Sequence, residues 1–184
     1  MKYPLAVHYV ASSLWAIDEG KLAELVSVLA FRAAGGTFTS EEIKARIGDG
    51  NSPQAASRSQ GGAVEVIPIR GVIAHRMSGM EDSSGGTSAE GIGRMLRAAM
   101  ADASVGTILL DVDSPGGTVT GVSELAEELF EMRGKGKKIV AQVNGLAASA
   151  AYWLASQADE IVSLPSGLAG SIGVFTVHQN LAAA

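Results

Sequence analysis

The 184-residue chain contains no cysteine, which excludes disulfides, thiolate metal sites and a cysteine nucleophile. Its three histidines, His8, His75 and His178, are too scattered along the sequence to suggest a metal cluster. Aromatic residues are scarce at 5%, and Trp15, Tyr152 and Trp153 are too few and too separated to build a base-stacking platform. Positive charge is in deficit as well. The formal net charge of −5 and pI near 5.2 argue against nucleic acid or an anionic membrane as a general partner. No lysine follows Lys138, and two stretches, Ile139 to Ala158 and Ile161 to the end, carry no formal charge at all. Both are long enough to span a bilayer. Yet Gln142, Asn144 and Ser149 interrupt the first, and Pro165 with several glycines and serines interrupts the second, so both read as short buried elements. The N-terminus has one early lysine but no clean apolar run, since His8, Ser12 and Ser13 break it, which argues against a secretory signal.

What is present is a composition suited to a buried core, 47% apolar and 18% charged. "EGKLAELVSVLAFRAAGG" predicts an amphipathic helix, with Leu22, Leu25, Val26 and Leu29 at helical spacing and Gly35-Gly36 as its stop. A second helix is expected in "TSEEIKARIG", with Thr39 or Ser40 as N-cap. Together these define an N-terminal helical extension over 1–48. Asp49 to Gly62 is small, polar and rich in Gly, Pro and Ser, and reads as a flexible linker over 49–62.

From residue 63 the texture becomes alternating strand and helix, which defines the core over 63–184. "AVEVIPIRGVIAH" is β-branched and apolar, with Pro68 marking an edge or a bend. A glycine-rich loop then leads into a helix around Ala89 to Ala101. "GTILLDVDSPGG" predicts a buried strand ending in a turn. "TVTGVSELAEELFEMRGKGKK" predicts a helix with Leu125, Leu129 and Met132 on one face and lysines at its C-terminus. "IVAQVNG", "AASAAYWLASQAD", "EIVSLP" and "SIGVFTVH" continue as strand, helix, strand, strand. Such alternation implies an α/β fold of parallel βαβ units with right-handed crossovers.

Two motifs bear on chemistry. "DSPGGT" (Asp113 to Thr118) follows a strand, and its paired glycines can expose backbone N–H groups as oxyanion donors; by itself it also fits a plain βα turn. No Gly-Lys-Ser/Thr closes it, so a phosphate loop is poorly supported. Ser149 sits among Ala147, Ala148, Ala150 and Ala151 at a predicted helix start, where it is either a nucleophile or a small capping residue. It is not a G-x-S-x-G elbow, since positions 147 and 151 are alanine. Asp111 and Asp113 stand near the same strand end, although acids there are commonly solvated or capping.

The order and spacing of "LLDVDSPGG" and "KKIVAQVNGLAASAAYWLASQADEIVSLPSGLAGSIGV" resemble the S49 family of serine peptidases, signal peptide peptidase A and its relatives, over Val64 to His178. "YVASSLWAIDEGKLAELVSVLAFRAAG" is similar to the leader of the phage branch, the minor capsid protein C or prohead protease group. The resemblance implies a ClpP/crotonase-like α/β spiral and acyl transfer without a cofactor or metal. Ser149 would be the nucleophile, with the N–H groups of Gly117 and Ala150 as the oxyanion hole. Extended polypeptides would bind by strand addition beside the glycine-rich segments. Many relatives have "ASGGYY" where this chain has Ala150-Ala151, so a methyl group narrows the approach. Family members use a lysine base well beyond the "GSIGV" strand. The expectation is therefore a truncated chain, inactive or very weak unless His178 substitutes as the base.

The function implied is a serine endopeptidase of a phage, processing capsid scaffold in the procapsid within the bacterial cytoplasm. The alternatives are a bacterial signal-peptide peptidase or a catalytically dead capsid assembly module. A homo-oligomer is expected, with polypeptide substrates, no nucleic acid and no membrane span.

Overall fold

The computed structural model describes residues 8, 10–39, 41–42, 58–59, 62–77 and 85–176. A nine-stranded sheet forms among them. Its longest strands are β3 (Gly62–Ala74), β5 (Val105–Thr118) and β6 (Lys138–Ala148), all parallel. Shorter strands are β1 (Leu14–Ile17), β2 (Arg58–Ser59), β4 (Thr87–Ser88), β7 (Glu160–Ser163), β8 (Leu168–Gly170) and β9 (Phe175–Thr176). The helices are α1 (Glu19–Ala33), α2 (Ala89–Ala101), α3 (Val122–Met132) and α4 (Ala150–Ala155). The expected βαβ alternation is present: β3 leads through α2 to β5, then through α3 to β6, then through α4 to β7.

Ile108, Leu110 and Val112 alternate along β5 and are fully buried. They join Ile67 and Ile69 of β3, Ile139 and Val143 of β6, Ile92 and Leu96 of α2, Leu125 and Leu129 of α3, and Leu154 of α4 in one core. Each such side chain contributes about 2 kcal/mol by leaving water. Pro68 is exposed where β3 pairs only with β5, because β2 meets β3 at its start and β4 at its end. Its missing N–H therefore breaks no ladder on the free side.

Three local expectations differ from the structure. "DSPGG" does not turn; β5 runs on through Thr118, held by Val72 and Ile73 of β3 and by β1. Gly116 absorbs the irregularity at φ +98°. The "SIGVFTVH" strand is shorter than its sequence suggests, with β8 ending at Gly170 and β9 covering Phe175–Thr176; Val177 and His178 lie outside the described residues. Finally, the lysines lie beyond α3, which ends at Met132, and there it is the Lys135 backbone N–H that donates to Met132 O at 3.3 Å. Lys137 Nζ instead donates to the Ala99 carbonyl oxygen at 2.6 Å and to that of Asp102, so it serves the C-terminus of α2.

Beside it, both the backbone N–H and the hydroxyl of Ser104 donate to Asp102 Oδ1 at 2.8 Å. The Ser104 hydroxyl, then its N–H, hold the Asp102 carboxyl below the usual carboxylate range. A depressed pKa in the folded state means that the contribution is present above the unfolded pKa and lost as pH falls through the folded one. Asp102→Asn is therefore expected to lower stability at neutral pH by a small amount, with the difference closing in the acid range. Denaturant melts of both chains at pH 7 and pH 3 measure this.

The N-terminal part holds a strand as well as a helix. Asp18 caps α1 by accepting from Lys21 N–H at 3.2 Å, and Leu22 is buried against Trp15 and Ile17. Val26 is exposed, so the predicted apolar face is only partly used. Thr39 and Glu42 form the reciprocal bonds of a capping box, as expected for a helix starting there; residues 43–48 lie outside the described residues, as do 49–57 and 60–61 of the linker, whose Arg58–Ser59 and Gly62 are not loop but strand, in β2 and β3.

Candidate active site

β6 delivers Ser149. The strand ends at Ala148, α4 begins at Ala150, and the serine between them has φ +54° and ψ −113°. A positive φ at a non-glycine residue costs on the order of 1–3 kcal/mol and persists only where surrounding contacts hold it. Those contacts are visible: Ser149 N–H donates to Gly170 O at 2.8 Å, and Trp153 N–H donates to Ser149 O at 2.8 Å. The small neighbours make the bend possible, since Ala147, Ala148, Ala150 and Ala151 are all buried and leave the backbone room to fold back. This is a sharp strand-to-helix elbow without the G-x-S-x-G sequence.

The serine hydroxyl donates to Gly173 O at 3.2 Å, across the segment that follows β8. The residue is 6% exposed. Among the described residues no lysine, histidine or carboxylate is hydrogen-bonded to it. His178 lies outside the described residues.

The "SPGG" segment reaches the same place. Ser114 Oγ donates to Gly71 O at 2.6 Å and accepts from Gly116 N–H at 3.1 Å, which pins the segment to β3. A methyl group on Gly116 would lie 2.9 Å from Ala148 O and 3.0 Å from Ala150 N, the two backbone neighbours of Ser149. A methyl on Gly117 would fall 1.7 Å from Ile73 O, so only glycine permits this approach to β3. Gly116, Gly117, Ser149 and Ala150 thus converge on one corner of the sheet, at the C-terminal ends of β5 and β6, where ligand sites of such sheets lie.

Asp111 and Asp113 have other partners. Asp111, 5% exposed, is ion-paired to Arg70 and accepts from Asn144. Asp113 Oδ1 accepts from Leu146 N–H at 3.1 Å. Both fix the β5–β6 register rather than facing Ser149. The feature that sequence reasoning missed is β1. Its residues pair antiparallel with the glycine segment, Trp15 opposite Thr118, Ala16 opposite Gly117 and Ile17 opposite Gly116, and on its other side with β9. The alternation of large and small apolar residues in "LWAI" was its one local signal.

A parallel sheet with crossover helices and a serine elbow at its strand ends defines an α/β fold of the ClpP/crotonase type. Among solved structures, a Pseudomonas malonate decarboxylase hetero-tetramer in complex with coenzyme A aligns with a TM-score of 0.50 at 16% identity, covering 65% of this chain and 52% of that one; the likeness is one of fold.

The sequence resemblance is to S49 peptidases: the Peptidase family S49 model matches residues 131–184. The chain is 39% identical over 119 residues to the head-tail preconnector protein GP5 of Enterobacteria phage P21, covering 65% of this chain and 24% of that protein. It is 34% identical over 163 residues to capsid assembly protease C of Escherichia phage lambda, covering 86% of this chain and 37% of that protein. Protease 4 of Salmonella typhi is 39% identical over 117 residues, 64% of this chain and 18% of that protein. The chain therefore spans well under half the length of these relatives. Among the described residues no helix is long and apolar enough to cross a membrane, and no group of three or more metal-ligating side chains is assembled.

Proposed function

We propose that the chain carries the nucleophile half of a serine endopeptidase. Ser149 attacks a peptide carbonyl, the N–H groups of Gly117 and Ala150 hold the oxyanion, and water releases the acyl-enzyme. The observation that carries this reading is the strained elbow at Ser149, φ +54°, set against the glycine segment whose position 116 abuts Ala150 N. Strain of this kind clusters at active sites.

The proposed base is a lysine, as in S49 peptidases, supplied by polypeptide outside these 184 residues. A serine without a base is a weak nucleophile, so the chain by itself turns over slowly or not at all. The similarity to capsid assembly protease C supports scaffold or capsid proteins as substrates, processed in a procapsid within the host cytoplasm. The similarity to protease 4 of Salmonella typhi supports a second reading, a bacterial peptidase. The exposed Ile161, Val162, Leu164 and Leu168 on β7, β8 and their connection support assembly into a homo-oligomer.

Turnover of unfolded casein by this chain, and by a chain extended through a lysine-bearing segment, tests the proposal. Cleavage by the extended chain alone is expected. Cleavage by the 184-residue chain that His178→Ala abolishes would replace the lysine with His178 as base.

A further inference from the structure

β1 runs antiparallel to the Gly116–Thr118 segment, whose position 116 abuts Ala148 O and Ala150 N on either side of Ser149. Val119 N–H donates to Leu14 O at 3.0 Å and Asp18 N–H donates to Pro115 O at 2.8 Å. Hydrogen-bonded pairs alternate in an antiparallel ladder, so Ala16 and Gly117, midway between these two, form the next such pair. The ladder pattern directs the Gly117 N–H of that pair at the Ala16 carbonyl oxygen. The same oxygen lies 2.3 Å from the point where a Gly116 methyl would sit, and Ala150 N lies 3.0 Å from that point. One carbonyl of the chain's own N-terminal strand is therefore paired with Gly117 and lies no more than about 5.3 Å from Ala150 N, the second proposed oxyanion donor. The strand's outer edge is closed by β9, Leu14 opposite Thr176 and Trp15 opposite Phe175.

We propose that the groove between Gly116–Thr118 and Phe175–Thr176 is a peptide-binding cleft, and that Leu14–Ile17 is its built-in occupant, which an incoming extended peptide must displace. This deepens the peptidase reading and rests on it. The occupant also specifies the preferred ligand. Ala16 is 2% exposed and packs into the main core, so the position whose carbonyl meets Gly117 takes a small side chain. Trp15 and Ile17 point the other way, into a separate cluster with Leu22 and Val72, so the flanking positions take large apolar side chains. The preferred ligand is an extended segment reading large–small–large. A tethered strand competes at an effective concentration on the order of millimolar, so free peptides bind the intact chain weakly.

The absence of native cysteine allows a direct test. Leu14 and Thr176 are paired across β1 and β9 and both exposed, at a spacing suited to a disulfide. Binding is read by anisotropy of a fluorescein-labelled Ser-Ser-Leu-Trp-Ala-Ile-Asp-Glu peptide. The Leu14→Cys/Thr176→Cys chain is expected to show no saturable binding when oxidised and to regain it on reduction. Trp15→Ser and, separately, Ala16→Pro weaken the occupant and are expected to tighten binding at least tenfold over the unmodified chain. Replacing the peptide's alanine with leucine is expected to weaken binding about tenfold. Equal binding by oxidised and reduced chains overturns the proposal. So does failure of the cysteine pair to oxidise, or no gain in either loosened variant with its circular dichroism unchanged. Because the readout is binding, an unreactive Ser149 would sink the peptidase reading and leave this result standing.

Discussion

Ser149→Ala in a chain extended through the proposed lysine is expected to reduce peptide turnover by about 10⁴–10⁶-fold while leaving the fold intact. The fold should tolerate the change because, among the described residues, the hydroxyl makes one hydrogen bond, to Gly173 O at 3.2 Å, and the backbone bonds from Ser149 N–H to Gly170 and from Trp153 N–H to Ser149 O remain. Alanine does not relieve the elbow, since its Cβ meets the same restriction at φ +54°. Ser149→Gly does, and is expected to be more stable than Ser149→Ala by roughly 1 kcal/mol, although glycine's freedom in the unfolded chain takes back part of the gain. Turnover and urea midpoints of the three chains measure both effects. An alanine chain that retains turnover removes Ser149 from the chemistry, and a glycine chain less stable than alanine removes the strain.

The second large effect belongs to Gly117→Ala. A methyl there would stand 1.7 Å from Ile73 O and 2.7 Å from Ile73 Cα, which is backbone of a strand that cannot swing aside. Either β5 separates from β3 beyond Arg70 or the segment rotates and loses β1. Forced overpacking of this kind costs about 1–3 kcal/mol, and a clash with backbone stands at the upper end, a large share of the stability of a domain this size. The loss should be local to the corner that holds Ser149. Hydrogen exchange is expected to speed up at Val119 and Asp18, whose amides bond across β1 and β5, while Leu110 and Ile139 in the sheet's centre stay protected. Uniform loss of protection would mean that the corner and the core unfold as one unit.

The parts of this arrangement legible in the sequence are those set by local pattern. β5 was readable from its run of Ile, Leu and Val, α2 and α3 from their periodic apolar residues, and Pro68 from its missing donor. The continuation of β5 through Ser114-Pro115-Gly116-Gly117 was not, because those residues signal a turn. They are extended only because Val72, Ile73 and β1 pair with them from distant parts of the chain. The same holds for β1, whose partners lie about 100 residues further on in β5 and about 160 in β9. The position of Ser149 at a strand-to-helix junction was legible from its alanine neighbours, but its left-handed backbone was not, since serine carries no preference for positive φ. Lys137 looked like a cap for its own helix, and its reach to Ala99 depends on α2 lying alongside.

The central claim is that Ser149 is a nucleophile held for acyl transfer at this corner. Fluorophosphonate labelling of the extended chain, followed by mass spectrometry of its peptides, tests it most directly. One modified residue is expected, Ser149, with labelling lost in Ser149→Ala and much slower in the 184-residue chain. An unlabelled Ser149 in the folded, extended chain, or a label on another serine, would contradict it.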